Sequence, residues 1–163
     1  MFTASELFDL AIKIEANGER FYRHAMARVK IDSVKDLLGW LADQELVHKS
    51  AFAEIKERFT RGTNPVLSFP SLSQQALSRS MGRHAFSLDE LQIDSIQDEE
   101  EMLRAAVLFE EDTILFFEFI ASFISDPGVS SLLEKIRTEE FNHKRLLVEK
   151  LSEISANTSN QMI

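Results

Sequence analysis

The sequence predicts an all-α protein, a bundle of four long helices with one long crossover between the second and the third. Three observations lead there. Apolar residues recur every three or four positions along four stretches, the period of a helix that buries one face. The 163 residues include only 5 Gly and 3 Pro, too little punctuation for many short strands. The chain also repeats itself at an offset of 95: Glu15 falls on Glu110, Glu45 on Glu140 and His48 on His143. The same offset carries Ala11 onto Ala106, Phe21 onto Phe116 and Lys49 onto Lys144. A pattern recurring at fixed spacing marks a structural unit used twice. A pseudo-two-fold repeat is therefore expected, relating residues 4–60 to 98–154.

Thr3 and Glu6 make the capping-box pattern T-x-x-E, which satisfies two free N–H groups at a helix start. Leu7, Ala11, Ile14, Gly18, Phe21 and Ala25 follow as a stripe running to about Val29. Asp32 or Ser33 is placed to cap the second helix. Its inner face reads Val34, Leu38, Leu41, Glu45, His48, Phe52, Ile55 and Phe59, and Gly62 with Pro65 ends it. Asp98 and Glu101 open the third helix, with Leu103, Ala106, Glu110, Thr113, Phe117, Ala121 and Ile124 on one face. Asp126-Pro127-Gly128 stops one helix and starts the next, since proline suits the first helical position. The fourth helix presents Val129, Leu133, Ile136, Glu140, His143, Leu147 and Ile154; the polar tail 155–163 is expected to fray.

Residues 61–97 are Ser-rich and join the two halves. A connection of that length is unusual in a compact domain. Helices of about 26 residues are, however, about 40 Å long, and running two of them parallel takes a strap along the whole bundle. Short helices are expected within the strap at 73–81 and 87–91. The chain 1–163 reads as a single domain large enough to bury a sizeable core.

Composition removes several classes of function. A net charge of −9 argues against nucleic acid as a partner, which would call for a basic face. The absence of cysteine excludes disulfides, thiolate metal sites and Fe–S clusters. The N-terminus MFTASELFDL has neither a basic region nor an apolar core, so no signal peptide is read. The most apolar run, 114–124, is broken by Glu118 and is too short to span a bilayer. A cytoplasmic protein without membrane or nucleic-acid partners is expected.

Six residues carry the chemistry: Glu15, Glu45, His48, Glu110, Glu140 and His143. E-x-x-H on a helix sets a carboxylate and an imidazole on one face, one turn apart. A single copy is a weak signal in a Glu-rich helical chain. Two copies, each with a further glutamate thirty residues upstream, are a strong one. All six lie within apolar stripes near helix midpoints, where an unpaired carboxylate is costly. A buried salt-bridge cluster is the competing explanation. Yet no Lys or Arg occupies the inner stripes at that level, and four close carboxylates cannot all ionise without a cation. A dinuclear metal centre resolves the conflict, with two carboxylates bridging and one histidine on each ion. Mixed oxygen and imidazole donors suit Fe, with Mn or Zn as substitutes. Because Glu15 mirrors Glu110 and His48 mirrors His143, the ligation is expected to be symmetric.

Tyr22, the only tyrosine, lies two turns beyond Glu15 on the same face, and its repeat mate is Phe117. It reads either as a core aromatic or as the candidate catalytic residue, bonded to a ligand carboxylate or serving as a one-electron reservoir. His24 and His84 lie off the ligand positions. Phe109, Phe116, Phe119 and Phe123 read as core and interface packing. Their number suggests a homodimer, to whose interface or core Trp40 would belong.

This constellation resembles the ferritin-like di-iron carboxylate pattern, a glutamate from each of two helices and Glu-x-x-His from the other two. Within it, A-x-x-x-E-x-x-G-x-x-F-Y at residues 11–22 and its relative at 106–117 resemble the rubrerythrin branch. The likeness covers residues 4–154. It implies a ferritin-like bundle holding two Fe ions on Glu15, Glu45, His48, Glu110, Glu140 and His143. Rubrerythrins proper carry a C-terminal rubredoxin domain, which needs cysteines this chain lacks. They also have a carboxylate where Thr113 stands and a glutamate where His143 stands. The ligand set is thus closer to bacterioferritin or to relatives without rubredoxin.

The resemblance implies an oxidoreductase that reduces hydrogen peroxide or dioxygen, with electrons from an external rubredoxin-like or flavoprotein donor. The alternatives are ferritin-like iron oxidation or storage, and a bundle that keeps a metal as a structural staple.

Overall fold

Four helices form where the apolar periodicity puts them in the computed structural model, which describes residues 2–61, 66–67 and 93–160. They are α1 (Ala4–Arg28), α2 (Asp32–Arg61), α3 (Glu99–Ala121) and α4 (Pro127–Asn160). A short 3-10 turn, Ile93–Ser95, precedes α3, and two-residue strands β1 (Phe2–Thr3) and β2 (Val66–Leu67) pair antiparallel. That pairing was not expected from the sequence; it ties the start of the strap to the chain's first residues. The helices expected at 73–81 and 87–91 lie outside the described residues, as does His84.

Local chemistry sets the ends of these elements. Thr3 caps α1 through the full capping box: its side chain accepts from the Glu6 N–H, and Glu6 accepts from the Thr3 N–H at 2.7 Å. Asp32 and Ser33 do not cap α2. The Ile31 carbonyl accepts from the N–H groups of Val34 and Lys35, so both residues already lie in the first turn. The tight link through Lys30 leaves no residue to spare, and the Lys30 N–H is taken by Glu99 at the start of α3. Asp98 caps α3, accepting from Glu101 N–H at 2.8 Å. Asp126 caps α4 by accepting from Val129 N–H at 2.9 Å, with Pro127 at the first helical position.

Two ends differ from expectation. Helix α3 stops at Ala121, before Ile124, because the chain must turn into the Asp126 cap. Helix α4 continues through Asn160, where the tail was expected to fray. Residues 155–160 contain neither Gly nor Pro, and the Ser155 hydroxyl donates to Glu100 on α3.

Short links make α1–α2 and α3–α4 antiparallel neighbours. Each pair is also tied at its surface by the lysine that follows the E-x-x-H: Lys49 to Glu19 at 2.7 Å, and Lys144 to Glu111 at 2.8 Å. Such partly exposed pairs add at most about 1 kcal/mol each; the apolar core does most of the work. It runs from Phe8, Phe52 and Phe117 at one end to Leu38, Leu103 and Leu147 at the other, all fully buried. Phe52 and Phe117 pack with ring centroids 4.9 Å apart just below the level of His48. Helix α3 buries a wider face than one stripe. Phe109, Phe116 and Ile120 are buried beside the predicted positions, while Phe119 and Phe123 are half-buried.

Truncating Phe52→Ala removes one side of this packed pair. We expect a loss of about 3–5 kcal/mol, read as a lowered urea midpoint with an unchanged slope. A change below about 1 kcal/mol would show that the core collapses into the space.

Candidate metal centre

Each helix contributes one carboxylate at the middle of its buried face, and two contribute a histidine one turn further on. Glu15 (α1), Glu45 (α2), Glu110 (α3) and Glu140 (α4) are completely buried, and His48 and His143 are 1 % exposed. The fold brings all six together. Their donor atoms form two groups, Glu15–Glu45–His48–Glu140 and Glu45–Glu110–Glu140–His143, with atoms in each group within 4.8 Å of one another. Glu45 and Glu140 belong to both groups, which is the position a bridging carboxylate needs.

The arrangement follows the sequence repeat. His48 Nδ1 lies 3.8 Å from Glu15, and His143 Nδ1 lies 3.9 Å from Glu110. His48 Nδ1 is 2.7 Å from Glu140, and His143 Nδ1 is 3.6 Å from Glu45. The two imidazoles are stacked with their planes nearly parallel, 18° apart with centroids at 5.5 Å.

Whether these residues fit a metal is tested by their hydrogen bonds. Seven buried donor atoms have no hydrogen-bond partner: both oxygens of Glu15 and of Glu45, Glu110 Oε2, Glu140 Oε1 and His48 Nδ1. Buried polar groups are rarely left unpaired, and each such orphan costs on the order of 1–3 kcal/mol. Seven of them converging on one place fit a cation site. The donor set, four carboxylates and two imidazoles, suits iron or another first-row divalent ion.

The family model for rubrerythrin matches residues 6–151. The chain belongs to the rubrerythrin family. Two solved structures share its fold. A ferritin-like diiron-carboxylate protein from Thermotoga maritima is 22% identical, with a TM-score of 0.73 over 93% of this chain and 96% of that one. A hypothetical protein from Pyrococcus furiosus is 18% identical, with a TM-score of 0.66 over 93% of this chain and 89% of its own. No curated protein matches significantly. The bundle is therefore ferritin-like, and a buried Glu/His cluster able to hold metal sits at its centre. Among the described residues, no helix is long and apolar enough to cross a membrane.

Electrostatics in this rubrerythrin-family centre follow from burial. Burial first, and then the charges of Glu45 and Glu140, hold the Glu15 carboxyl well above the ordinary carboxylate range. Glu110 is raised likewise, by burial and then by Glu140 and Glu45. Burial pushes Glu140 up too, but the close approach and charge of His143 and His48 overcome it and hold this carboxyl far below the usual range. Burial would lower His143; its bond to Glu140 and the nearby Glu45 carboxylate win and raise it to about 9. His48 is raised by Glu140 and Glu45 in the same way, against burial.

The symmetry of the six residues does not extend to the groups behind them. Tyr22 donates its hydroxyl to Glu110 Oε1, while its repeat mate Phe117 has nothing to donate. Burial, and then the Glu110 and Glu45 charges, keep the phenol well above its ordinary pKa and therefore protonated. Tyr22 is thus both a core aromatic and a partner of a site carboxylate. His24 faces Asp94 at the surface, away from the centre.

The roles of three further residues at the site escaped the sequence reading. Glu139 accepts from His48 Nε2 at 2.9 Å, fixing the tautomer that leaves Nδ1 toward the centre. Trp40 sets its ring edge-on against His143, at 84° with centroids 5.3 Å apart. Gly18 leaves room for the site: a Cβ there would lie 2.8 Å from the Phe109 ring and 2.9 Å from Glu45 Oε2. Only Gly18 had a signal, as the glycine of the 11–22 motif. Glu139 and Trp40 matter through contacts between helices α2 and α4, which periodicity does not reveal.

Gly18→Ala tests that room. In an ordinary helix interior the change would gain about 1 kcal/mol. Here the methyl must displace the Phe109 ring or the Glu45 carboxylate, so we expect no gain in stability and weaker metal binding. A gain of about 1 kcal/mol with unchanged metal affinity would contradict this.

The pKa shifts give a sign for pH dependence. A group raised on folding lends stability that is complete below its unfolded pKa and is lost as pH climbs through the folded one. Glu15, Glu110, His48 and His143 are all of this kind. Glu140 works oppositely, and its contribution fades only as pH falls below the ordinary 4.5. Between about pH 5 and pH 9 the metal-free protein should therefore lose stability as pH rises. The increase in Tm conferred by metal should grow over that range; metal-free and metal-loaded melting curves that shift in parallel would refute it.

Proposed function

We propose that this chain is a di-iron oxidoreductase that reduces hydrogen peroxide, and dioxygen more slowly, using electrons from a separate donor. The observation that carries the reading is the set of seven unpaired donor atoms converging between four buried carboxylates and two imidazoles. When bound, two ferrous ions would supply one electron each, which with two protons cleaves the O–O bond of peroxide to give two waters.

The chain's own residues do the rest. Glu45 and Glu140 are placed to bridge, Glu15 with His48 and Glu110 with His143 to terminate. The Tyr22 hydroxyl orients Glu110 and keeps a proton at the edge of the site. Phe21, Phe52, Phe109 and Phe117 wall the centre with buried rings and exclude water. The chain has no cysteine, so the electrons that restore the reduced state come from a rubredoxin-like or flavoprotein partner. Half-exposed Trp40, Leu46, Val47 and Phe141 on α2 and α4 are consistent with assembly as a homodimer.

Stopped-flow oxidation of the anaerobic ferrous protein by each oxidant tests the proposal. We expect two irons per chain, faster oxidation by peroxide than by dioxygen, and arrest after one turnover unless a donor is added. Glu45→Ala or Glu140→Ala should abolish binding of both ions, because each serves both groups. Faster dioxygen consumption would overturn the peroxidase preference. Continued oxidation of many irons per chain, retained in a large assembly, would replace it with iron storage.

A further inference from the structure

Within this reading of a two-metal site, we propose that the two positions are inequivalent: the one built by Glu15 and His48 fills first and tightly, and the one built by Glu110 and His143 fills second and exchanges. The repeat makes the argument sharp, because each half of the centre serves as a control for the other. The six ligands match across the offset of 95; the groups behind them do not.

Behind His48 stands a carboxylate. Glu139 takes the outer N–H at 2.9 Å, while the inner nitrogen faces the centre, 2.7 Å from Glu140. A carboxylate on the outer N–H raises the donor strength of the imidazole and fixes its ring. The repeat mate of Glu139 is Gln44, which has no charge to offer His143. His143 instead meets the edge of Trp40, an indole that is 41% exposed.

The terminal carboxylates differ in the same direction. Both oxygens of Glu15 are without hydrogen-bond partners. Glu110 already accepts from Tyr22, and that bond draws on the lone pairs a metal would use. One turn on from Glu110, Thr113 carries a second buried hydroxyl that has no hydrogen-bond partner, where the other half has Gly18. Stronger donors therefore gather on the Glu15–His48 side. Hydroxyl donors and a thin aromatic cover gather on the Glu110–His143 side, where an exchanging ion and an incoming oxygen ligand are best accommodated.

Repulsion between two ions separates two binding steps even in a symmetric centre, so the order of filling is the diagnostic quantity. Anaerobic titration of the full chain with Co(II), followed by proton NMR, reads it directly. Each histidine ligand gives a hyperfine-shifted ring N–H, assigned through His48→Ala and His143→Ala. We expect the His48 signal alone at one equivalent and the His143 signal between one and two. Glu139→Gln should weaken the first step by about ten- to a hundred-fold and bring up the His143 signal early. Glu139→Asp should restore part of the order, which a merely structural role would not require. Tyr22→Phe should tighten the second step without changing the first. Equal signals at one equivalent, or His143 first, would overturn the inference while leaving a two-metal site intact. Uptake of fewer than two ions would overturn the proposed function along with it. Because the parent titration stands alone, a variant that fails to fold does not decide the matter.

Discussion

Four carboxylates buried at one level of a helical bundle form the constraint on which the rest of this structure depends. Apart they would each cost stability; together, unneutralised, they repel. The fold tolerates them because two imidazoles lie among them and because the remaining lone pairs converge where a cation can be held.

The site displaces core packing, and the surrounding core compensates. Apolar layers lie on both sides of it, Phe8, Phe52 and Phe117 toward one end and Leu38, Leu103 and Leu147 toward the other. At the site itself local rules are broken: a glycine sits mid-helix, carboxylates occupy leucine positions, and a threonine hydroxyl is buried unpaired. Violations gathered in one place, inside a chain that is otherwise locally consistent, are the mark of a functional centre. Gly18 shows the exchange most directly. A side chain there would favour the helix, but its absence lets the Phe109 ring and the Glu45 carboxylate approach the axis.

The repeat has retained its ligands and let their supports diverge. Glu139 against Gln44, Tyr22 against Phe117 and Thr113 against Gly18 are substitutions at matched positions. Each alters hydrogen bonding to a ligand or the space beside one. A pseudo-symmetric scaffold can thus hold two metals in different surroundings without changing a single donor atom. Membership of the rubrerythrin family covers the scaffold and the cluster.

The sequence by itself determined the helices, their buried faces and the six residues that meet, because these depend on period and repeat. Val34, Leu38, Leu41, Phe52 and Ile55 are buried where a spacing of three and four places them. The caps at Thr3, Asp98 and Asp126 depend on residues within one turn and were equally legible. Tertiary structure decided what lies between helices. It assigned Tyr22 to Glu110 across 88 residues and Glu139 to His48 across 91. It also extended α4 to Asn160 through a contact with α3, and moved the start of α2 to the Ile31 carbonyl. Periodicity tells a residue which face of its own helix it is on. Which residue it meets is set by the rotation and rise of the neighbouring helix, and those come from packing.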